Sequence, residues 1–160
     1  MHGLKKIVGQ TAIVARLEAL KDFFVGKGTT PGHILLIGHE GTGKRTIALA
    51  FAEELGVTAK AVFARSMERK GDLTAILTSL EMNECLLIED VCRLRPPLKE
   101  ILASSLENFR IDLMIGQGAG ARIHPFILNP FMCIGTCLKE SDCPISLRNL
   151  FFLKLSIESS

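Results

Sequence analysis

The chain has 160 residues, of which 48% are hydrophobic and 22% are charged, with a formal net charge of +2. This length suits one domain with a substantial core and is short for two. The small net charge argues neither for nor against binding to nucleic acid, and no apolar run approaches the ~20 residues of a membrane span. The start, "MHGLKKIVGQ", has no signal-peptide core, and the 5 cysteines favour a reducing compartment. We therefore predict a cytoplasmic α/β domain.

The first third of the chain predicts a helix, a buried strand and a second helix. From Thr11, apolar residues recur at helical spacing, and the turn-forming stretch "GKGTTPG" (26–32) ends this pattern. The run "HILLI" (33–37) is continuously apolar, which is typical of a strand buried on both faces. A helix is then predicted from Lys44 to Leu55, because Gly56 is suited to a helix C-terminus.

The middle of the chain continues this alternation. The run "AKAVFA" (59–64) predicts a second strand. Gly71–Asp72 is expected to supply the N-cap of a short helix that continues through Leu77. The run "CLLIED" (85–90) predicts a third buried strand, which ends in two acidic residues.

The remaining elements complete the predicted fold. Pro96–Pro97 can open a helix that runs to about Leu106. The segments "RIDLMIG" and "IHPFIL" flank the turn "QGAGAR" and predict a β-hairpin, and "FMCIGT" (131–136) predicts a last buried strand. Strands that alternate with helices indicate a parallel, doubly wound α/β sheet, here with a hairpin insert.

A phosphate-binding pattern, Gly38-x4-Gly43-Lys44, lies between the first predicted strand and the helix after it. In this position, N–H groups of the loop and of the helix N-terminus can surround phosphate oxygens, while Lys44 reaches the β- and γ-phosphates. An ordinary glycine-rich turn is the alternative. The residues predicted to bind a nucleoside triphosphate are Gly38, His39, Glu40, Gly41, Thr42, Gly43, Lys44, Arg45 and Thr46.

Two acidic residues, Glu89 and Asp90, end the third predicted strand. Open α/β sheets bind ligands at the carboxyl ends of their strands, so both carboxylates are expected beside the phosphate loop. A P-loop ATPase needs one carboxylate there to hold Mg²⁺ and often a second one to activate water. Glu89 and Asp90 are therefore the predicted catalytic pair, and a solvated strand end is the alternative.

The order of these motifs resembles the RuvB family, AAA+ motors of bacterial Holliday-junction branch migration. The resemblance covers about Ile7 to Phe151 and includes "IVGQ", the phosphate loop, "KGDLTAILTSLE", "LLIEDVCRLRPPLKEIL" and "LENFRIDLMIGQGAGARIHPFILNPFMCIGT". It implies one ATP-binding P-loop domain over residues 1–160, without the family's lid and winged-helix domains. It also implies a role in DNA recombination and repair.

The same resemblance implies a protein partner. A RuvA-like protein would bind the hairpin at 111–128 through the apolar residues Ile111, Leu113 and Ile115. DNA would then be contacted only indirectly, no membrane is implied, and ring assembly stays open. An exposed apolar hairpin would also account for part of the 48% hydrophobic content.

Several departures from the family pattern fall at catalytic positions. Arg45 replaces the hydroxyl residue that would bind Mg²⁺, and Thr46 lies ~100° further around the helix. Glu89–Asp90 reverses the family's Asp-Glu order. Cys137–Leu138 replace threonines after Thr136, and Leu150, two residues after Arg148, occupies the position of the arginine finger. We expect impaired hydrolysis, since such a finger is worth roughly 10³ to 10⁵ in rate in GTPases.

These observations leave alternatives open. Arg45 either pairs with Glu89 across the gap that Mg²⁺ would fill, in which case ATP binds without the metal, or extends into solvent. The chain is an ATPase with impaired turnover, an inactive nucleotide- or partner-binding relic, or a fragment without a selected activity. A cysteine metal site is not expected, because C-x3-C-x5-C matches no standard zinc pattern.

Overall fold

The computed structural model describes residues 11–25 and 32–157. The "IVGQ" segment and nearly all of the predicted turn at 26–32 lie outside the described residues. Within these ranges, the chain forms a parallel sheet with helices on both faces and a separate two-stranded hairpin. None of the described helices is long and apolar enough to cross a membrane.

The strands form one five-stranded sheet and the hairpin. Their bounds are β1 (Ile34–Ile37), β2 (Ala59–Phe63), β3 (Cys85–Glu89), β4 (Arg110–Ile115), β5 (Arg122–Ile127), β6 (Met132–Cys137) and β7 (Leu153–Ser156). The sheet order is β2-β3-β6-β1-β7, with every neighbouring pair parallel. The three central strands β3, β6 and β1 are almost entirely buried, which explains their continuous apolar runs.

The helices cover the two faces of the sheet. Their bounds are α1 (Thr11–Val25), α2 (Lys44–Leu55), α3 (Lys70–Ser79), α4 (Pro96–Asn108) and α5 (Ile145–Arg148). Side chains alternate along β1, so Ile34 and Leu36 pack with residues of α1 and α2. Leu35 and Ile37 face the opposite core, which contains residues of α3, α4 and α5. The predicted doubly wound sheet is confirmed.

Element boundaries agree best where the sequence carries a stop signal. Helix α2 runs from Lys44 to Leu55 as predicted, and Gly56 ends it with a φ of 72°. The sequence did not predict β7, which pairs with β1 in parallel register from Ile34–Leu153 to Ile37–Ser156. Its sequence "LKLS" alternates leucines with the polar residues Lys154 and Ser156, so β7 lacks the continuous apolar run of the central strands.

The predicted N-cap of α3 is wrong. The helix begins at Lys70, so Asp72 is its third residue and not the residue before it. From there the Asp72 carboxylate accepts hydrogen bonds from the N–H groups of Glu68 (2.9 Å) and Arg69 (3.0 Å). The N–H of Arg69, followed by that of Glu68, lowers the pKa of Asp72 below its ordinary value. Asp72 therefore stabilises the helix start from inside its first turn.

Candidate functional site

A cleft of about 310 Å³ lies at the carboxyl ends of the central strands. This is where open α/β sheets bind ligands, because the loops that leave adjacent strands diverge there. The cleft brings most of the phosphate loop together with both acidic residues of β3 and its exit. Its lining residues are Glu40, Gly41, Thr42, Gly43, Lys44, Arg45, Phe63, Arg65, Glu89, Asp90 and Thr136.

The phosphate loop is built by glycine conformations and one close approach. Gly41 and Gly43 have φ values of 78° and 87°, in the left-handed region that side chains with a Cβ rarely occupy. A Cβ on Gly38 would lie 2.6 Å from the carbonyl oxygen of Ile157, so the loop passes directly against the end of β7. The loop then enters α2, where the N–H of Ile47 donates to the Gly43 carbonyl at 2.9 Å.

Lys44 and Thr42 hold the loop together in this structure. The Lys44 ammonium donates to the carbonyl oxygen of Gly38 and, at 3.0 Å, to that of His39. The buried hydroxyl of Thr42 donates to the same His39 oxygen at 2.8 Å. The His39 side chain is exposed and does not line the cleft, and exposed Thr46 does not line it either. Of the predicted loop residues, Glu40 to Arg45 therefore line the cleft.

Arg45 and Glu89 form an ion pair across the cleft. Nη1 of Arg45 lies 2.7 Å from Oε2 of Glu89, a short charge-assisted hydrogen bond. The Arg45 side chain is 50% exposed, whereas that of Glu89 is 15% exposed. The first of the two alternatives for Arg45 is thus the one found: its guanidinium contacts the carboxylate that ends β3.

Asp90 is fixed through its backbone. It has a φ of 57°, a left-handed conformation that Asp tolerates better than most residues. Its N–H donates to the hydroxyl oxygen of Thr136 at 3.0 Å, and Thr136 is buried at the end of β6. The hydroxyl of Thr136, the residue before the two replaced threonines, therefore holds the turn after β3.

Two lining residues, Phe63 and Arg65, were missed by the sequence interpretation. Phe63 ends β2 and is 39% exposed, and the guanidinium carbon of Arg65 lies 5.5 Å from its ring centroid. This distance is that of a cation–π contact. The available signal was position: β2 neighbours β3 in parallel, so its carboxyl end meets the same edge of the sheet.

In the segment predicted to carry the arginine finger, the arginine side chain hydrogen-bonds to a nearby backbone carbonyl. The Arg148 guanidinium donates twice to the carbonyl oxygen of Cys143, at 3.1 Å from Nε and 2.8 Å from Nη2. Leu150 is partly buried against the core. Neither side chain lines the cleft.

Four cysteines lie in β6 and in the segments that follow β3 and β6. Cys133, Cys137 and Cys143 are buried, and the thiol of half-buried Cys92 is hydrogen-bonded to those of Cys137 and Cys143. The contact with Cys137 is the largest cause that raises the pKa of Cys92 to about 12, so this thiol is protonated at neutral pH. Among the described residues, no group of three or more His, Cys, Asp or Glu side chains is arranged to hold a metal ion.

The hairpin presents a different apolar surface from the predicted one. Ile111 is 2% exposed and belongs to the core, so its side chain is not available to a partner, which corrects the prediction for this residue. Leu113 is partly buried against the same core, and Ile115 is 52% exposed. These three share one face because side chains alternate along β4, and the base of that face lies on the domain.

The opposite face of the hairpin is exposed throughout. Met114 pairs directly with Ile123, and Ile127 pairs with Arg110. Met114, Ile123 and Ile127 are 65%, 62% and 72% exposed, respectively. We call these three residues the outer hairpin face.

Comparison with known proteins decides the family. The profile described as "Holliday junction DNA helicase RuvB P-loop domain" matches residues 2–157, almost the whole chain. The chain belongs to the RuvB family. RuvB of Parafrankia sp. (strain EAN1pec) is 36% identical over 148 residues, which are 92% of this chain and 42% of that protein. RuvB of Bifidobacterium longum (strain DJO10A) is 37% identical over 150 residues, or 94% and 43%.

Solved RuvB structures share the fold. The Thermotoga maritima RuvB P216G mutant matches with a TM-score of 0.87 at 28% identity, over 98% of this chain and 48% of that one. The structure named as the Thermotoga maritima RuvB Holliday junction branch migration motor matches with a TM-score of 0.85. The chain spans less than half the length of these RuvB proteins. The described residues therefore form the AAA+ P-loop domain of the family.

Proposed function

We propose that this chain is a RuvB-type ATP-binding module of Holliday-junction recombination and repair in the cytoplasm, with impaired hydrolysis. The observation that carries the proposal is the phosphate loop at the head of α2, which opens into a cleft at the carboxyl ends of β3 and β6. A helix N-terminus supplies free N–H groups and a partial positive charge, both of which favour phosphate oxygens. Lys44 already lies among the loop carbonyls and can turn its ammonium group toward a phosphate.

The proposed impairment follows from the groups around the cleft. The carboxylate of Glu89, at the position where the family's metal-binding acid stands, is paired with Arg45. Arg148 is bonded to the Cys143 carbonyl, and Leu150 supplies no positive charge for a transition state. Positioned charge supplies most of the rate enhancement in phosphoryl transfer, so these changes remove the groups on which hydrolysis depends most.

Nucleotide binding is tested by titrating the chain with a fluorescent ATP analogue and measuring anisotropy, with phosphate release followed in parallel. We expect saturable binding with no turnover above background. Lys44→Ala should weaken binding at least about tenfold, because the cation of the phosphate loop is lost. Lys154→Ala removes a lysine outside the cleft and should change nothing.

Turnover that Lys44→Ala abolishes would overturn the impairment and restore an active ATPase. Absence of binding in the wild-type chain would overturn the nucleotide proposal and favour a partner-binding relic or a fragment without activity. Circular dichroism of both variants separates lost binding from lost structure.

A second candidate function is partner binding by the hairpin. The relatives are named as subunits of a branch migration complex, and we propose a RuvA-like protein as the partner, so that DNA is contacted only through it. The outer hairpin face supports this, because exposed apolar side chains grouped on one strand pair are typical of an interaction surface. Ile115 lies at the tip of the same hairpin and can extend that surface.

The hairpin proposal is tested by measuring association with purified RuvA by biolayer interferometry. Replacing Met114, Ile123 and Ile127 by Ser should abolish association and leave the fold intact, since all three are exposed. Met82→Ser, at a residue that is also 65% exposed but lies outside the hairpin, is the matched control. Unchanged association of the triple variant would exclude this surface.

A further inference from the structure

We propose that the Arg45 guanidinium replaces Mg²⁺ in this cleft, so that the site binds nucleoside di- or triphosphates free of metal. This inference rests on the proposed nucleotide-binding function and specifies the ligand form that the site takes. The ligand is the polyphosphate anion, which the site binds without requiring a magnesium ion.

The cleft does not fit the metal that the family implies. A magnesium ion of a P-loop site is bound by the loop's Ser or Thr hydroxyl and by an acidic residue at the end of a neighbouring strand. Here the hydroxyl is absent, since Arg45 takes its position. The carboxylate of Glu89 is already 2.7 Å from a cation. A divalent ion at Glu89 would either break this pair or lie beside a positive guanidinium, which Coulomb repulsion opposes.

The geometry of the ion pair leaves Arg45 able to bind phosphate. A guanidinium has five N–H donors in a planar fork, and the contact with Glu89 runs through Nη1 alone. Glu89 is 15% exposed and Arg45 is 50% exposed, so the carboxylate is the enclosed member and the guanidinium the accessible one. Arg45 can thus bridge Glu89 to a phosphate oxygen, which is the role a metal ion has between acid and nucleotide.

A further cation lies on the same cleft. Arg65 is exposed and contacts the Phe63 ring at 5.5 Å, and both residues line the cleft. With Lys44 and Arg45 it makes a set of three cations around one space. The same cleft is lined by the carboxylates of Glu40, Glu89 and Asp90, so the arginines offset negative charge that a magnesium ion would otherwise neutralise, and a chelator removes neither arginine.

The test is a titration of the chain with fluorescent ADP and ATP analogues, in EDTA and in millimolar Mg²⁺. For each nucleotide, we expect the dissociation constant in EDTA to agree with that in Mg²⁺ within about threefold. Arg45→Thr restores the hydroxyl and frees Glu89, so its affinity in EDTA should fall at least about tenfold and recover with Mg²⁺. Arg122→Thr, at an exposed arginine of the hairpin, should behave as the wild type does.

The outcomes separate this inference from the function on which it rests. Strict Mg²⁺ dependence in the wild type would overturn the inference and leave nucleotide binding established. EDTA-resistant binding by Arg45→Thr equal to that of the wild type would also overturn it. An absence of binding in both buffers would overturn the inference together with the nucleotide function.

Discussion

At the scale of single residues, His33 shows how a polar side chain at the start of β1, the end of that strand away from the phosphate loop, can be structural. It is 7% exposed and bridges three elements. Its Nε2 donates to the carbonyl oxygen of Leu106 in α4, and its Nδ1 accepts from the N–H of Cys133 in β6, both at 3.0 Å. The second bond requires a neutral ring, because a protonated imidazole has no acceptor nitrogen. Burial lowers the pKa of His33 below its ordinary value.

This histidine predicts a pH dependence of stability. The unfolded chain binds a proton at His33 near pH 6.5, and the folded chain binds it only at lower pH. The contribution is therefore fully present above pH 6.5 and is lost as the pH falls toward the folded value. We expect the free energy of unfolding to fall by up to ~1.4 kcal/mol per pH unit in that window.

Urea unfolding at several pH values between about 7.5 and 5.5 measures the slope that proton linkage predicts. His33→Gln is the matched control, since its amide can donate and accept but does not titrate. A variant as pH-dependent as the wild type would assign the effect to other groups.

Arg45 shows the limit of sequence interpretation at this scale. The sequence identified the missing hydroxyl and two alternatives for Arg45. The choice between them depends on the rotamer of Arg45 and on how far its side chain extends toward Glu89. The distance of 2.7 Å to Glu89 depends on β6 separating β1 from β3, and no local pattern contains that spacing. Phe63 and Arg65 were missed for the same reason, because a neighbouring strand brings them to the cleft.

At the scale of elements, residue propensities together with Gly and Pro signals predicted the helices and strands well where tertiary contacts favour the same structure. Gly56 ends α2 and Pro96 opens α4 as expected. The hairpin was also predicted, but the side of it that faces solvent was not. The alternation in β4 identifies two faces, and only the docking of Ile111 onto the core shows which one is covered.

Two glycines in different elements should respond oppositely to the same substitution. Gly71 lies in α3 with nothing within 4 Å of an added Cβ, so Gly71→Ala should stabilise the fold. The expected gain is ~0.5–1 kcal/mol, because Ala loses less backbone freedom in a helix. At Gly38 the Cβ would lie 2.6 Å from the Ile157 carbonyl oxygen, so Gly38→Ala should destabilise by ~1–3 kcal/mol.

Thermal and urea unfolding of both variants measures these changes. Each variant serves as the control for the other, since both add one methyl group. A Gly38→Ala variant as stable as the wild type would show that β7 can move away from the loop.

At the scale of the whole molecule, the buried apolar runs in the sequence predict that a sheet forms. They do not predict the order of the strands in it. The sequence supported parallel strands because helices separate them. Nothing in it indicated that β7 joins the other side of β1, since "LKLS" is short and half polar. The resemblance to RuvB was confirmed by the family match over residues 2–157.

The sheet order also has a consequence for how the cleft opens. Two consecutive residues at the end of β6 bind the two sides of the cleft. The Cys137 carbonyl accepts from the Gly38 N–H, and the Thr136 hydroxyl accepts from the Asp90 N–H, each at 3.0 Å. A displacement of this strand end therefore breaks both bonds in one event. The two amide hydrogens should exchange with deuterium as one cooperative unit, with protection free energies equal within about 1 kcal/mol.

Amide exchange followed by NMR measures this directly. Thr136→Val removes the acceptor of Asp90 and should speed exchange at that amide most. If the Gly38 and Asp90 amides of the wild type exchange at unrelated rates, the two sides of the cleft open independently. If they open together, the phosphate loop and the acidic strand end form one foldon, even though a third strand separates the strands that carry them.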